Sequence, residues 1–213
     1  LDTGTVVARE ALARFDAEPR RSPDQWFAEA SLVGQGRQLE LAAVATALGR
    51  LDELPTGQRI SLNVSPETLA TAEFTDLIGG VDGQRLIVEL TESTKVDDYA
   101  AVLESIDVLR AGGVQIAVDD AGAGYAGLQH IVRLRPDVIK LDRSMIHGID
   151  RDPVRRALAT SIVSFGRDTG STIVAEGIEE AAELETLCEL GVTWGQGCLL
   201  GRPAPLEPEA LDA

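Results

Sequence analysis

Cations, histidines, cysteines and long apolar runs are all scarce in this chain of 213 residues. Only 19 Lys and Arg stand against 35 Asp and Glu, a formal charge of −16. That excludes a surface gripping nucleic acid through many phosphate contacts, because such binding rests on clustered basic residues. A phosphate-bearing ligand would instead need a metal ion beside it. No apolar run approaches the roughly 20 residues needed to cross a bilayer, and no basic start followed by an apolar stretch marks a signal peptide. A cytoplasmic location is the expectation. Cys188 and Cys198 lie in no metal-binding spacing and read as reduced structural residues. His130 and His147 are the only histidines, neither has a Cys or second His at ligand spacing, and both read as surface residues. Trp26 and Trp194 read as packing residues, since no aromatic pairs with either along a basic stretch.

What is present is a regular alternation. With 44% hydrophobic residues the chain can bury a core as one domain over 1–213, with a Pro-rich acidic tail after about 204 expected to fray. Short β-branched runs stand at 5–10, 59–64, 85–90, 114–120, 137–141, 172–176 and, weakly, 192–195, with helical patterns between them. The clearest helix is 153–167, where Val154, Leu158, Ile162 and Phe165 recur at helical spacing, Pro153 suits the first position and Gly170 the exit. Strand and helix in alternation predict an α/β fold around a parallel sheet. The opening Leu1-Asp2-Thr3-Gly4 reads as a turn, so a fragment of a longer protein is expected.

Each run ends in a polar residue: Glu10, Asn63, Glu89, Asp119 with Asp120, Lys140, Glu176, and Gln196 just past the last. In a (β/α)8 barrel such ends meet at one mouth, where the active site sits. Carboxylates that close repel one another unless cations neutralise them, and oxygen-only ligation favours Mg²⁺ or Mn²⁺. Adjacent Asp119 and Asp120 suit the bridging of two ions in phosphoester hydrolysis. Individually these residues have ordinary readings: Asp119 and Asp120 as a strand end or helix cap, Lys140 as a surface ion-pair partner, Glu10 as an exposed carboxylate. Lys140 lies between Ile139 and Leu141, which favours its pointing inward.

These blocks, with Glu10-Ala11-Leu12, Leu62-Asn63-Val64-Ser65, Glu89-Leu90-Thr91-Glu92, Lys140-Leu141-Asp142, Ala175-Glu176-Gly177-Ile178-Glu179 and Gln196-Gly197, resemble the EAL domain family over about 4–204. The resemblance implies a modified (β/α)8 barrel that hydrolyses cyclic-di-GMP to linear pGpG by two-metal in-line attack of water. It implies that Glu10, Asn63, Glu89, Asp119, Asp120 and Glu176 hold two divalent ions, Mg²⁺ or Mn²⁺, with Asp119 bridging. Lys140 and Gln196 would hold the attacking water or its ligands, with Glu176 or a neighbouring carboxylate taking the proton. Arg14 would contact substrate phosphate, Asp142 and Glu179 would line the substrate and water site, and Glu92 would brace the loop after Asp120. A homodimer and fusion to N-terminal sensory or regulatory domains are further expectations. The other reading left open is a weak or inactive EAL domain serving as a cyclic-di-GMP receptor or protein-interaction module.

This chain departs from the family pattern at 121–127, where Phe, Thr and two Ser are replaced by Ala121-Gly122-Ala123-Gly124-Tyr125-Ala126-Gly127. The family's first strand, with its Gln-Pro, has no counterpart here, in keeping with seven runs where a barrel has eight. The same loop spells G-x-G-x-x-G, with Asp142 20 residues after Gly122, as a dinucleotide fingerprint asks. Against that reading, Asp119 and Asp120 would set two negative charges against a pyrophosphate, and strand-helix units precede the motif instead of following it.

Overall fold

The computed structural model describes residues 1, 3–90, 99–121 and 125–206, without the side chains of residues 120, 121 and 125–128. Glu92, residues 122–124 of the glycine-rich loop and the last part of the tail lie outside the described residues. Seven strands are described: β1 (Ala8–Ala11), β2 (Arg59–Val64), β3 (Leu86–Leu90), β4 (Gln115–Ala121), β5 (Val138–Leu141), β6 (Thr172–Ala175) and β7 (Trp194–Gly195). They follow one another in sheet order β1 to β7, and β1 on β2, β4 on β5, β5 on β6 and β6 on β7 all pair in parallel. The helices between them are α1 (Pro23–Leu32), α2 (Gly36–Leu48), α3 (Pro66–Leu69), α4 (Ala72–Ile78), α5 (Tyr99–Ala111), α6 (Tyr125–Leu134), α7 (Arg143–Ile146), α8 (Pro153–Thr169) and α9 (Ala181–Leu190). Sequential parallel strands, each returned to the sheet by helices, are the (β/α)8 arrangement less one strand. Among the described residues no helix is long and apolar enough to cross a membrane.

The chain packs as two compact units, with the division inside β3. Of the described residues, the first comprises 7–88, 99–114 and 205–206; its core gathers Ile60, Leu62 and Val64 of β2 with Leu69, Phe74, Ile78, Val102 and Ile106 of the helices. The second comprises 1, 3–6, 89–90, 115–121 and 125–204, with Ile116, Val118, Val138, Ile139, Leu141 and Ile173 of the strands packed with Ile131, Leu134, Ile146 and Leu187. All of β3 and β5 is buried, Glu89 and Lys140 included, as strands of a parallel sheet covered on both faces must be.

Strand positions follow the sequence runs to within a few residues at each end. Helix α8 follows its predicted start and exit: Asp152 accepts hydrogen bonds from the N–H groups of Val154 and Arg155, Pro153 opens the helix and Gly170 closes it with φ +78°. Of its apolar stripe, however, three residues face outward and Ile162 is half-buried. Val154, Leu158 and Phe165 are 74%, 49% and 39% exposed, whereas Ala159, Val163 and Gly166 are buried. Small residues let the helix axis approach the sheet: a Cβ on Gly166 would stand 2.7 Å from Ile173 Cδ1 and 2.9 Å from the carbonyl oxygen of Ser171. The surface reading of His130 is corrected too, since it is 6% exposed. It lies one turn before Leu134 on the buried face of α6. His147, by contrast, has a 61% exposed side chain.

Candidate active site

Strand register assembles the site from both sides of Lys140. On β5, Lys140 pairs with Val174 of β6, and Glu176, two residues on, shares Val174's side of the strand. The Glu176 N–H donates to Leu141 O at 3.0 Å, which carries the parallel pairing one step past β6. On the other side, Val118 pairs with Ile139 and Ala121 with Leu141, so Asp119 and Asp120 together face the single residue Lys140. This is a β-bulge at the acidic pair, a device that re-aims side chains at the ends of sheet strands. The Asp120 side chain lies outside the description.

The Lys140 ammonium, 3% exposed, is the hub. Its Nζ lies 2.7 Å from Glu89 Oε2, 2.7 Å from Glu176 Oε1 and 3.4 Å from Asp119 Oδ1. Gln196 Nε2 donates to the same Glu176 Oε1 at 2.8 Å, while the Gln196 N–H is tied to Ala175 O, extending β6 onto β7. Burial pushes the Glu176 carboxyl up to about 8; Lys140 opposes the rise, and Asp119 and Glu89 add to it. Three carboxylates thus share one ammonium in a poorly hydrated place.

That charge balance and an oxygen-only donor set fit a hard divalent cation. Glu89, Asp119 and Glu176 are the described side chains of this cluster that could hold one. Among the described residues, no group of three or more His, Cys, Asp or Glu stands together as a metal cage. Here the ammonium is the shared partner of the three acids.

The remaining predicted residues fall into local pairs. In the first unit, Glu10 pairs with Ser61 in register, Asn63 lies two residues further on the same side of β2, and its Nδ2 donates to Glu10 Oε1 at 2.8 Å. Donation through nitrogen leaves the Asn63 amide oxygen as the atom it can offer a cation. Arg14 is exposed, its Nη1 donating to Ala13 O at 2.7 Å. In the second unit, Asp142 caps α7, its Oδ1 accepting from the Ser144 N–H at 2.8 Å. Glu179 pairs with Arg143 at 2.9 Å. The Arg143 stem crosses Gly177, whose φ is +68° and where any Cβ would lie 2.5 Å from Arg143 Cγ. Only glycine fits there.

Sequence reading missed Glu183, a carboxylate 1% exposed in the second unit. Its Oε2 accepts from the N–H groups of Glu179 and Glu180 at 3.0 and 3.1 Å, and its Oε1 from Gly148 N–H at 2.9 Å. The available signal was its place three residues after Glu180, the spacing of a capping box at the start of α9.

The EAL domain profile matches residues 1–203. The chain is 38% identical over 217 residues to the bifunctional diguanylate cyclase/cyclic di-GMP phosphodiesterase MucR of Pseudomonas aeruginosa, a match that covers 96% of this chain and 32% of that protein. The chain therefore spans about a third of the length of that curated relative. In structure it resembles the PaMucR phosphodiesterase in its c-di-GMP complex, with TM-score 0.81, 33% identity and coverage of 93% of this chain and 85% of that one. It also resembles the manganese and cy-diGMP complex of Klebsiella pneumoniae BlrP1, with TM-score 0.82, 29% identity and coverage of 95% and 53%. A polar residue at every strand end, a bulged Asp pair opposite a buried lysine, and these matches over nearly the whole chain lead to one assignment: the chain belongs to the EAL domain family.

Proposed function

We propose that this chain is a metal-dependent phosphodiesterase that opens cyclic-di-GMP to linear pGpG. The observation that carries the reading is the Lys140 cluster, in which Glu89, Asp119 and Glu176 from three strands meet one buried ammonium. In this reading Glu10, Asn63, Glu89, Asp119, Asp120 and Glu176 hold two divalent ions, Mg²⁺ or Mn²⁺. The ions supply Lewis acidity and offset charge on the phosphoryl group.

The protein's own groups do the rest. A water oxygen bonds to phosphorus in line with the P–O ester bond that breaks, and the leaving sugar oxygen, still part of the opened dinucleotide, takes up a proton from solvent. Glu176 Oε1 is held by Lys140 and Gln196, which leaves Oε2 for the cation, and Glu176 or a neighbouring carboxylate receives the water's proton. Lys140 adds a fixed positive charge where negative charge builds up. Arg14 binds a substrate phosphate, and Asp142 and Glu179 line the substrate and water side. Glu92 braces the loop after Asp120. The reading extends to one EAL domain over 1–213, upstream sensory or regulatory domains, a homodimer and a cytoplasmic location. The phosphodiesterase reading itself is supported by the family assignment and by the charge balance around Lys140.

The test is incubation with cyclic-di-GMP with Mg²⁺, with Mn²⁺ and with EDTA, resolved by chromatography. Linear product in the metal arms only, lost in Asp119→Asn, supports the enzyme. Binding of cyclic-di-GMP without product in any arm would mark the chain as a receptor instead.

A further inference from the structure

Glu183 lies in the first turn of α9 and on no strand, yet its carboxylate is almost wholly buried. A capping box needs one contact from this residue, to the Glu180 N–H, and the contacts to Glu179 N–H and Gly148 N–H exceed that need. The first donor belongs to the segment that runs from Glu176 into α9. The second belongs to the connection between α7 and α8, which follows Lys140 at the end of β5 and Asp142 at the cap of α7. One side chain therefore ties together the loops that follow β5 and β6. Its burial works against the charged form, but three backbone N–H donations and His147 Nδ1, 3.4 Å from Oε1, more than offset it and hold the carboxyl below its usual range. The partner on the other side of Glu179 is weaker: the Arg143–Glu179 ion pair is 58% and 38% exposed, and exposed pairs hold geometry poorly.

We infer that Glu183 is a positioning residue for the reaction, an acceptor that fixes the backbone of the loop carrying Glu176 and Glu179 against the loop after Lys140 and Asp142. This rests on the phosphodiesterase reading above. The chemistry calls for a carboxylate. Three N–H groups converge on it, and an amide of the same shape would turn one acceptor oxygen into an NH₂ that faces a donor. The loop after Glu176 then loses a fixed point, and a displacement of the order of 1 Å in a catalytic group is costly to rate.

The experiment compares wild type, Glu183→Gln and Glu183→Asp well below their melting temperatures, with Gly166→Ala as a destabilised control whose change lies on the outer helix α8. Two quantities are measured: amide hydrogen exchange at Gly148, Glu179 and Glu180, and kcat and KM for cyclic-di-GMP with Mn²⁺. The expected result for Glu183→Gln is faster exchange at the three amides and kcat lowered about tenfold or more, with KM within about twofold. Glu183→Asp, which keeps the charge, recovers part of kcat, and Gly166→Ala leaves kcat unchanged. If Glu183→Gln does not fold, the same comparison is made with Glu183→Asp, whose shorter reach should lower kcat and speed exchange to a lesser degree. Faster exchange with unchanged kcat, or equal kcat losses in Gly166→Ala and Glu183→Gln, would overturn the inference and leave Glu183 a stabilising cap. Absence of turnover in wild type overturns the phosphodiesterase reading itself and is told apart by occurring before any substitution.

Discussion

Lys140 is the residue on which the electrostatics of the candidate site turn. Replacing one member of a buried charge cluster exposes the others to uncompensated repulsion, at a cost of about 3–5 kcal/mol. Lys140→Met is therefore expected to lower the metal-free melting temperature markedly. Its stabilisation by Mn²⁺ should exceed that of wild type, because the three acids then depend on the metal alone for neutralisation. Paired thermal melts in EDTA and in Mn²⁺ check both statements, and an equal metal-induced shift in the two proteins would contradict the second. Glu183 gives a pH signature of the opposite kind. Because its carboxyl is held below the usual range, the folded state favours its charged form. The stability this supplies is present above the ordinary carboxylate pKa of about 4.3 and is lost as pH falls through the lower folded value. In urea titrations Glu183→Gln should cost about 1–3 kcal/mol near neutrality, and the gap from wild type should narrow below about pH 4.

Helix α8 shows how an element can be legible as a helix while its buried face is not. Its ends follow from Asp152, Pro153 and Gly170, whose capping roles are local. The inward face goes to Ala159, Val163 and Gly166, because close approach to β6 rewards small volume over hydrophobicity. Two substitutions separate these effects. Gly166→Ala raises intrinsic helix propensity by about 1 kcal/mol. It should nevertheless destabilise, since its Cβ meets Ile173 and a backbone oxygen below 3.0 Å. Leu158→Ser, on the half-exposed face, should stay within about 0.5 kcal/mol of wild type. Chemical denaturation of both variants decides the matter, and a larger loss at Leu158 than at Gly166 would reverse the assigned faces. The bulge at Asp119 and Asp120 belongs to the same scale. It could not be foreseen from a run that reads as one regular strand, because a bulge is defined by the partner's register.

For the whole molecule the controlling quantity is the charge of −16. Excess charge of one sign opposes compaction, and part of it is concentrated at strand ends. Thermal melts in EDTA should therefore rise as salt increases from about 20 to 200 mM, since the Debye length falls to about 10 Å or less over that range. A divalent cation should add a separate, saturable gain of about 2.7 kcal/mol at a concentration a hundredfold above its Kd. Calcium, magnesium and manganese titrations followed by melting temperature measure this gain, and a rise no larger than matched ionic strength produces would argue against a specific metal site.

Several features of this protein were determined by the sequence alone: the alternation of strand and helix, the strand positions to within a few residues, the helix caps of α8, and the polar residue at the end of each strand. These depend on backbone preferences and side-chain periodicity that act over a few neighbouring residues. The family-specific blocks are legible for the same reason, being short and ordered along the chain. Tertiary structure alone decided that Lys140 meets Glu89, 51 residues away, together with Asp119 and Glu176. It also decided that Glu183 reaches Gly148 across 35 residues, that His130 is buried, and that small residues form the inner face of α8. Each of these depends on register between strands or on how closely a helix approaches the sheet. Those quantities are set by the packing of distant segments against one another, and no local pattern encodes them.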